Sequence, residues 1–208
     1  MPSKVLTVRR FLSREPPAEP VRLRLTSVAA ACAVWLALAA AILILGRRAF
    51  QWPLFDSAHA PPVQALAGVA CGLGMAAVQW VLIAAWPRWC DYTREALRGF
   101  APTPAQIIVI AAMVAFSEEI FFRGAVQPLL GIGITSLLFM LVHMRYDRAA
   151  WNRKDLPLDL VAFGTLFAVG AMLGALCAYV GLASAMAAHF VYDVAVMARY
   201  RRLAPRSP

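Results

Sequence analysis

Charge is scarce in this chain, and no stretch of it is long and polar enough to form a separate soluble unit. Only 15% of its 208 residues are charged and 62% are hydrophobic, against roughly 45–50% apolar in soluble domains. The composition describes an all-α polytopic membrane protein, read as a single membrane domain over residues 1–208. Cysteine is sparse too: Cys32, Cys71, Cys90 and Cys177 stand singly, without a CxxC pair. That spacing implies neither a disulfide framework nor a cysteine-ligated metal. An HExxH zinc motif, an internal repeat and a low-complexity linker are also missing.

Acidic residues are the scarcer sign, 11 against 20 basic, for a net charge of +9. The basic residues flank apolar runs and build no soluble patch, so the excess marks membrane orientation and contact with lipid headgroups, not a nucleic-acid partner. The arm over residues 1–26 carries Lys4, Arg9, Arg10, Arg14, Arg22 and Arg24. The apolar run that follows lacks a small-x-small cleavage site, so it reads as an uncleaved first span.

Apolar runs long enough for one bilayer crossing each predict helices near 27–45, 63–86, 105–129, 131–146, 158–180 and 182–199, about six spans. Arg88, Arg94 and Arg98, then Arg145, Arg148, Arg153 and Lys154, then the tail from Arg199, join the N-terminal arm on one side, and Arg47 and Arg48 lie on the other. Both termini are therefore expected in the cytoplasm of a bacterial-type plasma membrane. Residues 88–100, with Trp89, Tyr92, Leu97 and Phe100 among charges, read either as an interfacial helix or as a solvated loop. Gly68/Gly72 and Gly170/Gly174 have the spacing of closely packed helices, a pattern also common by chance.

Against this apolar background, three segments carry ionisable groups: Ser117–Arg123, Phe139–His143 and His189–Asp193. A charge at the bilayer centre costs roughly 2.5–3.5 kcal/mol on insertion scales, so such groups face a protein interior and pair or work there. Glu119 and Arg123 are spaced i,i+4 and share a helix face. Glu118 points about 100° away and lacks that local partner, which makes it the better base. The pair itself serves equally as a staple of the bundle or as part of the chemistry.

If the third and fourth runs form a hairpin, the midpoint between Glu118 and His143 falls at 130–131, in the breaker sequence Pro128–Gly133. Both then lie about 18 Å from the turn at 1.5 Å per residue. Counting from Gly181, His189 lies at about 12 Å and Asp193 at about 18 Å. The motifs are expected to meet in the inner half of the membrane and to open toward the cytoplasm, near Asp147 and Arg148. A lone histidine in an apolar helix is usually a satisfied core residue, but His143 level with Glu118, with His189 about one turn from that depth, reads differently. Phe139 reads as packing beside His143, and His59 as an uninvolved residue of an outer loop.

EExxxR, FxxxH and HxxxD on successive apolar helices, from about Phe100 to Arg201, resemble the CPBP family of type II CAAX prenyl endopeptidases, bacteriocin-processing proteins and bacterial sorting proteases. The resemblance implies a catalytic core over residues 100–201 and an intramembrane endopeptidase of glutamate type. Its substrates would be membrane-anchored or membrane-adjacent proteins with CAAX-like or C-terminal sorting tails. Glu118 and His143 would activate water, His189 and Asp193 would bind the oxyanion or orient the water, and Glu119 and Arg123 would hold the site. Asp193 stands where an asparagine would donate a hydrogen bond, so it must be protonated, salt-bridged or serving to orient His189. No cofactor is expected on this reading; the alternatives are a zinc enzyme using Glu118, His143 and His189, or a non-catalytic scaffold.

Overall fold

The computed structural model describes residues 25–46, 55, 58–96, 102–143 and 156–203. The basic arm before Leu25, Arg47, Arg48, residues 97–100, the 144–155 segment with Asp147 and Arg148, and the tail after Leu203 lie outside the described residues. Among the described residues every regular element is a helix: α1 (Leu25–Gly46), α2 (Pro61–Ala85), α3 (Pro87–Ala96), α4 (Pro104–Glu119), a π-helical segment (Ile120–Val126), α5 (Gln127–His143), α6 (Leu156–Tyr179) and α7 (Leu182–Leu203). Four continuous runs are long and apolar enough to cross a bilayer: α1, α2, the 40 residues from Pro104 to His143, and α6. The protein is a polytopic membrane bundle.

The longest of these runs is not one rod. At 1.5 Å per residue it would extend about 60 Å, twice the ~30 Å hydrocarbon core. Gly131 interrupts it with φ +74° and ψ 171°, a backbone conformation open to glycine and costly for other residues. The chain reverses there: a straight helix would hold Glu118 and His143 about 37 Å apart, whereas their side chains lie 3.4 Å from each other. Before that reversal the chain departs from the regular helix expected over 105–129, adopting the wider π-helical turn over Ile120–Val126. Phe122 and Arg123, both at most 2% exposed, are carried into the bundle on this turn. Such segments are rare, and they concentrate at functional sites.

The start of α4 is set by local chemistry. Thr103 Oγ1 accepts a hydrogen bond from the Gln106 backbone N–H, and Gln106 Oε1 accepts one from the Thr103 N–H, with Pro104 in the first helical turn. Two otherwise orphaned donors are thereby satisfied. At the end of α6, the Val180 and Gly181 N–H groups bond to the Leu176 carbonyl, and Gly181 takes a φ of 130° to start the return into α7.

Residues 87–96, expected as interfacial helix or loop, are helical. Trp86, Trp89 and Tyr92 stack along α3 with ring centroids 6.3 and 5.6 Å apart. Trp89 is buried with Ile83, Leu158 and Tyr200, and Tyr92 Oη donates to Asp159 at 2.9 Å. This cluster ties the end of α2, the start of α6 and the end of α7 into one level of the bundle.

Although α7 is too polar to count as a span by composition, it packs between α2, α4 and α6. Its contact with α2 depends on two glycines. A Cβ at Gly68 would stand 2.5 Å from the Ser184 carbonyl oxygen, and one at Gly72 2.5 Å from that of Ala188. Gly74, on the same helix, has nothing within 4 Å of its Cβ position. Alanine for glycine in an exposed helix gains about 1 kcal/mol in helix propensity, but backbone overlap costs about 1–3 kcal/mol. Gly72→Ala is therefore expected to lower the thermal unfolding midpoint in detergent and Gly74→Ala to raise it or leave it unchanged. Equal shifts would show that the α2–α7 contact is looser than described.

Candidate active site

The hairpin at Gly131 and the antiparallel α6–α7 pair bring the ionisable residues of α4, the π-helical segment, α5 and α7 together. They form two adjoining units. In the first, Glu118 Oε2 faces His143 Nε2 at 3.4 Å. The His143 Nδ1–H donates to the Phe139 carbonyl at 2.7 Å, which leaves Nε2 as the nitrogen presented to Glu118. The Glu118 side chain is 10% exposed and that of His143 31%, so the carboxylate sits inside and the imidazole at the mouth.

The second unit is deeper. Glu119 is fully buried; its Oε2 lies 3.3 Å from Arg123 Nε and its Oε1 accepts a 2.8 Å hydrogen bond from His189 Nδ1. The Arg123 contact is an ion pair without an aligned hydrogen bond. Arg123 also donates from Nη2 to the Gly170 carbonyl at 3.0 Å and lies with its guanidinium carbon 4.7 Å from the centre of the Phe139 ring. On the other side of His189, Nε2 is 3.6 Å from Asp193 Oδ2, too long for a hydrogen bond. His189 is thus held between two carboxylates, one bonded and one nearby.

The expected pairing of Glu119 with Arg123 and of His189 with Asp193 is present, but the tightest bond of the unit joins the two pairs. The Glu119–His189 contact spans 70 residues and has no signature in helical spacing. Phe139 also has a wider part than packing beside His143. Its ring meets that of His143 at 4.3 Å, that of His189 at 6.0 Å and that of Phe122 at 5.3 Å. It separates the two histidines while supporting both.

Gln127 on α5 donates from Nε2 to the Gly174 carbonyl at 2.9 Å, one turn along α6 from the Arg123–Gly170 bond. The glycines let the two helices come close, since a Cβ at Gly174 would stand 2.8 Å from Gln127 Oε1. His59, exposed in the loop before α2, is remote in the fold from these residues, and its carbonyl accepts from Gln64 Nε2.

A metal requires several donors aimed at one point. Among the described residues no three His, Cys, Asp or Glu side chains are so grouped. Of the three residues that a zinc site would use, His189 gives Nδ1 to Glu119 and has Nε2 3.6 Å from Asp193 Oδ2, and Glu118 Oε2 lies 3.4 Å from His143 Nε2.

The residues that build the site fall within a segment with known relatives. Residues 100–195 match the family described as type II CAAX prenyl endopeptidase Rce1-like. Over those residues the chain is similar to the Rce1-like family. The Rce1-like segment contains Glu118, Glu119, Arg123, His143, His189 and Asp193. Among curated proteins, the uncharacterized protein YpbD of Bacillus subtilis (strain 168) is similar, 31% identical over 96 residues. That similarity covers 46% of this chain and 46% of YpbD, so the chain spans less than half the length of this relative. No solved structure matches the protein.

Proposed function

We propose that the protein is an intramembrane endopeptidase that cleaves membrane-anchored or membrane-adjacent proteins at a CAAX-like or C-terminal sorting tail. The observation that carries this reading is the facing pair Glu118 and His143, 3.4 Å apart, with the carboxylate inside and the imidazole at the mouth. With Nδ1–H committed to Phe139, a neutral His143 offers a lone pair at Nε2, and Glu118 offers another beside it. One water can donate to both and keep its own oxygen lone pairs free.

In the reaction, the water oxygen attacks the carbonyl carbon of the scissile peptide bond as Glu118 takes up a proton. The negative charge that forms on the carbonyl oxygen is met by the Nε2–H of His189 in its imidazolium form, the ring nitrogen not given to Glu119. Glu118 then returns the proton to the leaving nitrogen, and the C–N bond breaks. Asp193 acts in this scheme by orienting His189, because a carboxylate cannot donate to the oxyanion. Glu119 and Arg123 hold His189 and the π-helical turn in place. The termini and the mouth of the site face the cytoplasm of a bacterial-type plasma membrane, following the distribution of basic residues.

Proteomic comparison of cell membranes tests the activity against a scaffolding role. Cells lacking the protein and cells carrying Glu118→Gln are expected to accumulate the same uncut membrane proteins. If Glu118→Gln restores the wild-type pattern, the protein acts without cleaving and the scaffold reading replaces this one.

A further inference from the structure

The Glu118 carboxylate has a second neighbour besides His143. A cleft of about 260 Å³ lies between α1 and α4, lined by Ser27, Val28, Ala31, Cys32 and Trp35 on one side and Val114 and Glu118 on the other. The α1 residues follow helical spacing, 27, 31 and 35 beside 28 and 32, so one face of α1 forms the wall. Two contacts hold the helices on either side of the gap. Trp35 packs on Phe121 and Phe122 with ring centroids 4.7 and 5.4 Å away. Val28 and Cys32 are buried with Ile110 against Met113, Val114 and Met197. Between these contacts Ser27 and Ala31 are small and exposed, which leaves the cleft open at the side.

We infer that this cleft is a specificity pocket, in which α1 receives an apolar side chain of the peptide substrate next to the bond being cut. The inference rests on the endopeptidase reading of Glu118. Apart from Ser27 and Glu118 the lining is apolar. An acidic side chain there would be repelled by the carboxylate, and a basic one would pair with it and quench the base. An apolar side chain fills the space and leaves Glu118 to its water. The volume is below the ~300–1,000 Å³ of sites for drug-sized ligands, and it suits one or two side chains. α1 lies wholly outside the Rce1-like segment, so this part of the chain selects substrate instead of serving only as an anchor.

Ala31→Leu is the informative variant, because added bulk at an exposed alanine fills the cleft without crowding the core. The assay uses purified protein in liposomes and two membrane-anchored reporter peptides, with Ala or Phe flanking the cleaved bond. Excluding a few carbons from an apolar pocket is worth about 10–200-fold in kcat/KM. The Phe-to-Ala ratio of kcat/KM is expected to fall about tenfold or more in Ala31→Leu. Ala33→Leu, at an exposed position that does not line the cleft, is expected to leave the ratio unchanged. An unchanged ratio in Ala31→Leu, or the same change in both variants, overturns the pocket and leaves the peptidase reading standing. Cleavage of neither reporter by wild type, or undiminished cleavage by Glu118→Gln, overturns both.

Discussion

Arg123→Ala is expected to give little folded protein. The guanidinium is fully buried and serves three partners at once: the Glu119 carboxylate, the Gly170 carbonyl and the Phe139 ring. Removing it takes the buried cation away from Glu119, whose remaining partner is His189, and deletes the hydrogen bond that ties the π-helical segment to α6. Breaking such a pair from one side typically costs ~3–5 kcal/mol, a large share of the ~5–15 kcal/mol that holds a domain together. Low yield, aggregation or a much reduced unfolding midpoint in detergent is the expected outcome. Arg123→Lys retains the charge but not the planar fork, and is expected to fall between wild type and Arg123→Ala. A well-folded but inactive Arg123→Ala would move this residue from support into the chemistry.

Glu118→Gln and His143→Ala are expected to do the opposite, leaving a folded, inserted protein that does not cut. Gln preserves the shape of the side chain and removes its capacity to take up a proton. His143 is partly exposed, so trimming it opens the mouth of the site more than it disturbs the core. General-base catalysis contributes about 10²–10⁴-fold, and losses of that order in kcat are expected for each variant at an unfolding midpoint close to wild type. Near-normal turnover by either purified variant would sink the assignment of the water-activating pair.

Much of this site can be read from residue spacing because its partners lie at equal distances from chain reversals. The breaker at Gly131 sits near the midpoint between Glu118 and His143, so their equal depth, though not the contact itself, follows from helix rise. The i,i+4 neighbours Glu119 and Arg123, and His189 and Asp193, are legible for the same reason. The Glu119–His189 bond is not, because it depends on how α4 and α7 rotate about their own axes when they pack. The π-helical turn has no local signature either: Ile120–Val126 reads as ordinary apolar helix. The cleft beside Glu118 arises from small residues on α1 meeting α4, and spacing within one helix says nothing of its neighbour. Gly68 and Gly72 carry a pattern too common to weigh by itself, and only the approach of the α7 backbone gives it meaning.

The central claim is that Glu118 activates water directly to hydrolyse a peptide bond. Its most direct test is turnover of a membrane-anchored reporter by the purified, liposome-reconstituted protein in ¹⁸O-labelled water, with zinc content measured on the same sample before and after prolonged chelation. The account predicts one ¹⁸O atom in each newly formed carboxylate, zinc well below one per chain, and turnover that survives the chelator but is lost in Glu118→Gln. One tightly bound zinc per chain, with activity that disappears on its removal and returns when zinc is restored, would contradict it.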